Sequence, residues 1–322
     1  MNSTSRQRST ALLAAASVLA LAGCSTSGAA TADETQSSAS AETVSVEHAQ
    51  GTTEVPVSPE DVITFDLGVL DSMEALGEDV QGLPQGGSLP DQFAEYRSDE
   101  YVNAGAMKEP DLEAVAEAAP DLIIISGRTA EFYDELSEIA PTVDLSIDET
   151  DPLASFTEQS GTLGAIFGKE AEVEEKLAAI DEQIAETAEQ AAGAGTAMFL
   201  LTNAGEVNAY GPASRFGNVV FDLLGLESAT DVQADGRHGE AVSFEAIAAA
   251  DPDRIYVLDR DTAIGESGGE AAQQVLDNEL VNGTAAAQQD RITYLDSASW
   301  YVVGFGLNNF PSMIAEVQES LS

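Results

Sequence analysis

Hydrophobic and polar positions change period several times along the chain, and each change predicts an element. From Glu42 the stretch ETVSVEHAQGTTEVPVSPEDVITFD alternates. It predicts a Val44–His48 strand, a turn at Gly51 and a Thr53–Val57 strand, with Pro56 marking the second as an edge. Val62–Phe65 is an unbroken apolar run, as in a buried strand. Leu70, Met73 and Leu76 then recur at helical spacing, so Leu67–Leu76 reads as a helix stopped by Gly77. Val80–Leu83 reads as the next short strand, and Pro84–Phe93 as a loop that lines a cleft. Lys169–Ala192 carries Val173, Leu177, Ile180 and Ile184 on one stripe with charges elsewhere, a long helix ended by Gly193 and Gly195. Ala197–Thr202 follows as a buried strand.

One unit occurs twice. Glu113–Arg128 reads EAVAEAAPDLIIISGR and Glu245–Arg260 reads EAIAAADPDRIYVLDR, with half of the positions identical. Each is a short helix, a Pro-Asp turn, an apolar strand and an arginine beyond it. The repeat implies two related α/β halves, with the Lys169–Ala192 helix between them. Ligands of open α/β sheets bind outside the carboxyl ends of the strands, so facing lobes aim Arg128 and Arg260 into one cleft. A common helix–turn–strand connection with arginines placed by chance remains the alternative at this level.

The first residues have a different character. Arg6 and Arg8 precede the apolar run Ala11–Ala20, which is shorter than the ~20 residues that span a bilayer. The run ends in Leu21-Ala22-Gly23-Cys24, which resembles a lipobox, and Cys24 is the chain's one cysteine. This predicts a signal peptide over 1–24 with lipid on Cys24, and an anchor on the extracellular face of the cell membrane. A lone cysteine excludes an intramolecular disulfide and a cysteine-cluster metal site. Residues 25–41, rich in Ser, Thr, Ala and Gly, read as a flexible tether. The remaining boundaries follow as an N-terminal lobe over 42–168, a linking helix over 169–194 and a C-terminal lobe over 195–322.

Charge narrows the partners. The chain has 12 Lys plus Arg against 57 Asp plus Glu, a formal net charge of -45. Removing Arg6 and Arg8 with the leader makes the imbalance larger. This charge argues against nucleic acid or anionic membrane surfaces as partners. In so acidic a chain each arginine carries information. Arg215 lies in Gly211-Pro212-Ala213-Ser214-Arg215-Phe216-Gly217, a loop feeding a helix that runs to Leu224. A cation there opposes the helix dipole, which is easier to understand if an anion shares the site.

The segments HAQGTTEVPVSPEDVITFDLGVLDSMEALG, GRTAEFYDELSEIAPTV, AYGPASRFGNVVFDLLGL, RHGEAVSFEAI, IYVLDRD and YLDSASWYV together resemble the substrate-binding lipoproteins of bacterial ABC importers. Within them, the chain is similar to binders of ferric catecholate siderophores, over essentially all of 42–322. The resemblance implies two doubly wound α/β lobes joined by one long helix, the class III periplasmic-binding-protein arrangement. It implies a non-enzymatic receptor for iron transport, expected as a monomer, with no intrinsic cofactor, a ferric siderophore as ligand and an ABC permease as partner.

It also assigns residues. Arg128, Arg215 and Arg260 correspond to an arginine triad for the anionic ligand, chemistry that suits a planar fork on paired oxygens. His238 and Tyr301 correspond to residues that complete the iron shell of a four-coordinate siderophore. Arg237 beside His238 adds charge. Read from the residues alone, Trp300 offers a ring for stacking on a catechol, with a place in the core as the more common alternative for a buried tryptophan. Glu113 and Glu245, opening the two equivalent helices, correspond to the permease-docking pair. The loop Gly105-Ala106-Met107-Lys108 is not assigned to a ligand contact, which leaves selectivity among catecholates open.

Three other readings are kept for comparison. A hydrolase lacks a Gly-x-Ser-x-Gly elbow, a phosphate loop and His-Glu-x-x-His, and beyond His48 would depend on His238 alone. The same fold could hold haem or cobalamin, which would not require three convergent arginines, whereas a free-metal binder needs more histidines than the two present. An adhesion protein would need no cleft.

Overall fold

The structure, a computed structural model, describes residues 42–87, 89–232, 239–266 and 271–322. Residues 1–41, with Cys24 and the expected signal peptide and tether, lie outside the described residues, as do Arg237 and His238. The described residues belong to one compact unit built on two separate sheets.

The N-terminal sheet is five-stranded and parallel throughout. Its order is Val102–Asn103, Gly82–Leu83, Val62–Thr64, Leu122–Ile125, Thr142–Asp144. Val62–Thr64 and Leu122–Ile125 are buried at every position, as expected for parallel strands covered on both faces. The opening hairpin, Thr43–His48 with Gly51–Pro56, does not join this sheet. It packs against it through buried Val46 and Val55, with Ala49 N donating to Asp144 O at 3.3 Å.

The C-terminal sheet is six-stranded. Its path is Glu240–Ala241, Glu206–Tyr210, Thr196–Asn203, Arg254–Asp259, Ile292–Tyr294, with Glu227–Ser228 also pairing Thr196–Asn203. Only the pairings of Glu206–Tyr210 are antiparallel.

Local chemistry accounts for the helix ends. Asp66 Oδ1 accepts from Val69 N at 2.8 Å and starts Leu67–Leu76, and Gly77 ends it at φ 74°. Gly168 closes Pro152–Phe167 in the same left-handed way.

The sequence repeat is also a structural repeat. Leu112–Ala118 is capped by Asp111, and Phe244–Ala250 by Ser243. Both helices end on a non-glycine residue in the left-handed region, Ala119 at φ 49° and Asp251 at φ 43°. The Pro-Asp turn then has a visible purpose. Asp121 Oδ2 accepts from Glu60 N and Asp61 N, and Asp253 Oδ2 accepts from Thr196 N at 2.9 Å. In each half the turn's carboxylate holds the start of the neighbouring strand, and so sets the register Val62↔Leu122 or Ala197↔Arg254.

The long helix runs Glu170–Ala191. A second contact between the lobes crosses their joint at Phe305–Asn309, where Asp71 Oδ2 accepts from Asn308 N at 2.7 Å and Asn309 N at 2.9 Å. Phe305 and Phe310 pack on Phe156 at ring distances of 5.6 and 5.7 Å. A Cβ on Gly68 would strike the Phe305 carbonyl, so the first N-terminal helix can approach this crossing only with glycine there. One hydrophobic cluster consequently runs through both lobes and includes Leu70, Phe156, Ile180, Trp300 and Phe310. Two smaller clusters cover the outer faces of the sheets.

Several expectations need correction. The Val80–Leu83 strand shortens to Gly82–Leu83. Pro84–Phe93 does not remain a loop to its end, because a 3-10 run covers Asp91–Arg97. Phe93 is 1 % exposed and packs edge-on to Tyr96, so it belongs to the core and not to a cleft. The segment after Gly217 forms a π-helical turn over Asn218–Leu223.

Candidate functional site

The carboxyl ends of the repeat strands, the Gly211–Gly217 loop and a π-helical turn over Ser299–Val303 meet between the lobes. Arg128 follows the Leu122–Ile125 strand by three residues, inside a turn closed by Thr129 N donating to Ser126 O at 2.7 Å. Arg260 opens a short helical turn directly after Arg254–Asp259. Its neighbour Asp259 caps that turn, accepting from Thr262 N at 3.0 Å. Ser214 Oγ braces the third approach by accepting from Gly217 N at 3.2 Å.

All three arginines converge on Tyr301. Arg128 Nη2 and Arg215 Nη2 each donate to the Tyr301 carbonyl at 2.8 Å. Arg128 Nη1 donates to the Val302 carbonyl at 3.1 Å and touches Met107 Sδ at 3.4 Å. Arg260 Nε donates to the Tyr301 hydroxyl at 3.0 Å, and its Nη1 donates to Asn203 Oδ1 at 2.8 Å. Arg215 also lies over two rings, 4.7 Å from the centroid of Phe216 and 5.1 Å from that of Tyr301. Arg260 is 5.7 Å from the Tyr301 centroid.

These contacts have a common physical origin. The last carbonyls of a helical turn have no partner within it and form its negative end. The Tyr301 and Val302 carbonyls are such groups, and the guanidinia satisfy them. Among the described residues, the hydrogen bonds of the three arginines go to two carbonyls, an amide oxygen, a hydroxyl and a thioether, while the Glu149 carboxylate acts on Arg215 through its charge. The electrostatic strain is visible in Arg215, whose pKa falls to about 10, first through burial and next through repulsion by Arg128. Arg215 remains charged at neutral pH. Arg260 shifts the other way, chiefly because the Tyr301 hydroxyl bonds its charged form. Nearby, burial raises the Tyr210 hydroxyl to about 12, which keeps it neutral.

Trp300 is corrected. It is 1 % exposed, donates from Nε1 to Glu316 Oε2 at 2.9 Å and packs 5.8 Å from Phe199. The turn that points Tyr301 at the arginines turns its neighbour into the core, so Trp300 has no face free for a catechol. The rings beside the arginines are Tyr301, near Arg215 and Arg260, and Phe216, near Arg215. Met107, Asn203 and Phe216 are contacts that the sequence reading missed. For Met107 the only sequence signal was a short glycine-containing loop, and Asn203 reads as the end of a buried strand. Glu113 and Glu245 are both exposed, one in the first turn of each repeat helix. The Glu245 carboxyl is held below its usual range by backbone and Ser243 hydrogen bonds at that helix start. Among the described residues, no group of three or more His, Cys, Asp or Glu could hold a metal ion. No described helix is long and apolar enough to cross a membrane.

The pattern of the periplasmic binding protein family matches residues 62–299. The chain belongs to that family. It is 41 % identical over 274 residues to the petrobactin-binding protein YclQ of Bacillus subtilis, covering 84 % of each. The crystal structure of YclQ superposes with a TM-score of 0.83, covering 87 % of this chain and 99 % of YclQ. The catecholate-siderophore binding protein VctP of Vibrio cholerae is 32 % identical with a TM-score of 0.81, over 86 % of this chain and all of VctP. The ferric-anguibactin-binding protein FatB of Vibrio anguillarum is 28 % identical over 281 residues, 84 % of this chain and 85 % of FatB. The family is one of substrate-binding proteins, and its class III fold of two α/β lobes is the one observed here.

Proposed function

We propose that this protein captures a ferric siderophore, of the catecholate class, between its lobes and delivers it to an ABC permease. The observation that carries the reading is the arginine triad. Three guanidinia from both lobes converge on one tyrosine, and among the described residues their hydrogen bonds go to neutral groups. A multiply anionic oxygen ligand offers each of them a stronger, charge-assisted partner than a carbonyl. The petrobactin, catecholate and anguibactin binders among its relatives support the same choice.

In this reading Arg128, Arg215 and Arg260 clamp the ligand's anionic oxygens. His238 and the Tyr301 hydroxyl fill coordination positions that a tetradentate siderophore leaves open on iron. Glu113 and Glu245 meet cations on the permease, one from each lobe. Lipid on Cys24 holds the receptor at the extracellular face of the membrane through the 25–41 tether, and the protein turns over no substrate.

The test is a titration of the full chain with a ferric tetradentate bis-catecholate beside a ferric hydroxamate, following Trp300 emission. Saturable quenching by the catecholate alone is expected. Binding of neither complex, with haem or cobalamin bound instead, overturns the siderophore assignment.

A further inference from the structure

The residue on which the arginines converge is itself held by a hydrogen-bond path that begins in the other lobe. Asn309 is buried at 5 % exposure and spends its whole amide on the Tyr301 turn. Its Oδ1 accepts from Ser299 Oγ at 2.8 Å, and its Nδ2 donates to the Ser299 carbonyl at 3.1 Å and the Gly304 carbonyl at 2.7 Å. Ser299 and Gly304 are the two ends of the π-helical turn, closed by Gly304 N on Ser299 O at 2.8 Å. One side chain therefore splints both ends of the turn that carries Tyr301. A π turn is an unfavourable local geometry and persists where surroundings impose it.

The splint is anchored in turn. Asn309 N donates to Asp71 Oδ2 at 2.9 Å, and Asp71 sits on the Leu67–Leu76 helix of the N-terminal lobe, 3 % exposed. The adjacent Ser72 Oγ accepts from Leu307 N at 3.1 Å. From Asp71 the path runs through Asn309 to the turn, and from the Tyr301 carbonyl back to Arg128 of the N-terminal lobe. It is a closed circuit across the lobe joint, with the ligand-facing tyrosine inside it.

We infer that Asn309 and Asp71 are positioning residues. Asn309 locks the turn that presents Tyr301 to the arginine triad, and Asp71 ties that lock to the N-terminal lobe, so that lobe geometry sets the orientation of Tyr301. The binding arm of the test rests on the siderophore reading; the structural arm does not.

The test uses the full chain and the variants Asn309→Ala, Ser299→Ala and Asp71→Asn. Without ligand, acrylamide quenching reports on Trp300, the one tryptophan, inside the same turn. Loosening the turn in Asn309→Ala is expected to raise its quenching constant roughly twofold, with Ser299→Ala changing it less in the same direction. With the ferric bis-catecholate, Asn309→Ala is expected to bind about tenfold more weakly, as support residues of metal sites typically do. Its effect and that of Tyr301→Phe should be non-additive in the double variant, because both act through one group. Asp71→Asn should reproduce a part of both changes. A hexadentate tris-catecholate, which needs no protein ligand on iron, should be affected far less.

Unchanged quenching together with additive binding effects would overturn the inference. If wild type binds neither complex, the siderophore reading fails and the quenching arm alone decides this one. If Asn309→Ala does not fold, Ser299→Ala, which removes a single hydrogen bond, decides it: no change there counts against the lock.

Discussion

The two copies of the repeat share a sequence, a pair of left-handed helix ends and an aspartate that sets strand register, yet their arginines behave differently. Arg260 stays at home, bonded to Asn203 and Tyr301 of its own lobe. Arg128 crosses to the other lobe and ends on the Tyr301 and Val302 carbonyls. The cause is local. The second copy remains a strand up to Asp259 and turns directly into a helix, whereas the first leaves its strand at Ile125 and carries Arg128 out on a turn. One motif thus yields one fixed cation and one reaching cation. Only the second reports on the relation of the lobes.

The sharpest way to break this comparison is to remove the arginines one at a time. Each Arg→Ala should cost on the order of 2–5 kcal/mol of ligand affinity, the range for truncating a buried charge-paired group. Calorimetric titration checks it. Arg128→Ala should in addition change the lobe–lobe distance distribution of the ligand-free protein, measured between spin labels, whereas Arg260→Ala should not. Equal effects on that distribution would dissolve the distinction between reaching and fixed cations.

A test of what the copies share comes next in size. Asp121→Ala and Asp253→Ala each remove the carboxylate that accepts from backbone N–H at a strand start, at a cost of about 0.5–1.5 kcal/mol, the net worth of such a hydrogen bond. The two variants should lose similar stability in urea titrations, because their turns are built alike.

Buried and half-buried acidic groups give a smaller effect with a definite sign. Asp71 and Glu316 are raised above their ordinary values of 3.8 and 4.5, first by burial, and Glu74 is raised likewise. A raised carboxyl binds its proton more tightly when folded, so its contribution to stability falls as pH rises through its folded pKa and recovers as pH falls toward its unfolded one. Thermal midpoints should therefore rise modestly as pH is lowered through the raised pKa values toward the ordinary carboxylate range. Glu316→Gln should flatten that slope. The smallest effect is that of salt. With a net charge of -45, screening should raise the midpoint, most of all below ~0.15 M where the Debye length exceeds 8 Å.

Much of this was legible in the chain. The repeat, the long helix, the buried strands and the arginines beyond them all follow from local pattern, and each lies close to where its residues predicted it. The contacts around those arginines were less legible. Trp300 and Tyr301 are adjacent, and nothing in their identities says which faces the cleft; a π turn puts Tyr301 there and Trp300 in the core. Phe93 looked like part of a polar loop, although its ring completes the N-terminal core. Met107 and Asn203 have no signal of their own and acquire a partner only when distant segments meet.

By itself, then, the sequence determined the period of each element, the caps that start and stop the helices, the acidic surface and the supply of so few arginines that three of them stand out. Those properties depend on neighbours within a few residues or on composition. The tertiary structure decided which side chains share a site. Arg128 meets Tyr301 across 173 residues, and Asp71 meets Asn309 across 238. Separations of that size are closed by packing of the whole core, whose geometry no local pattern encodes.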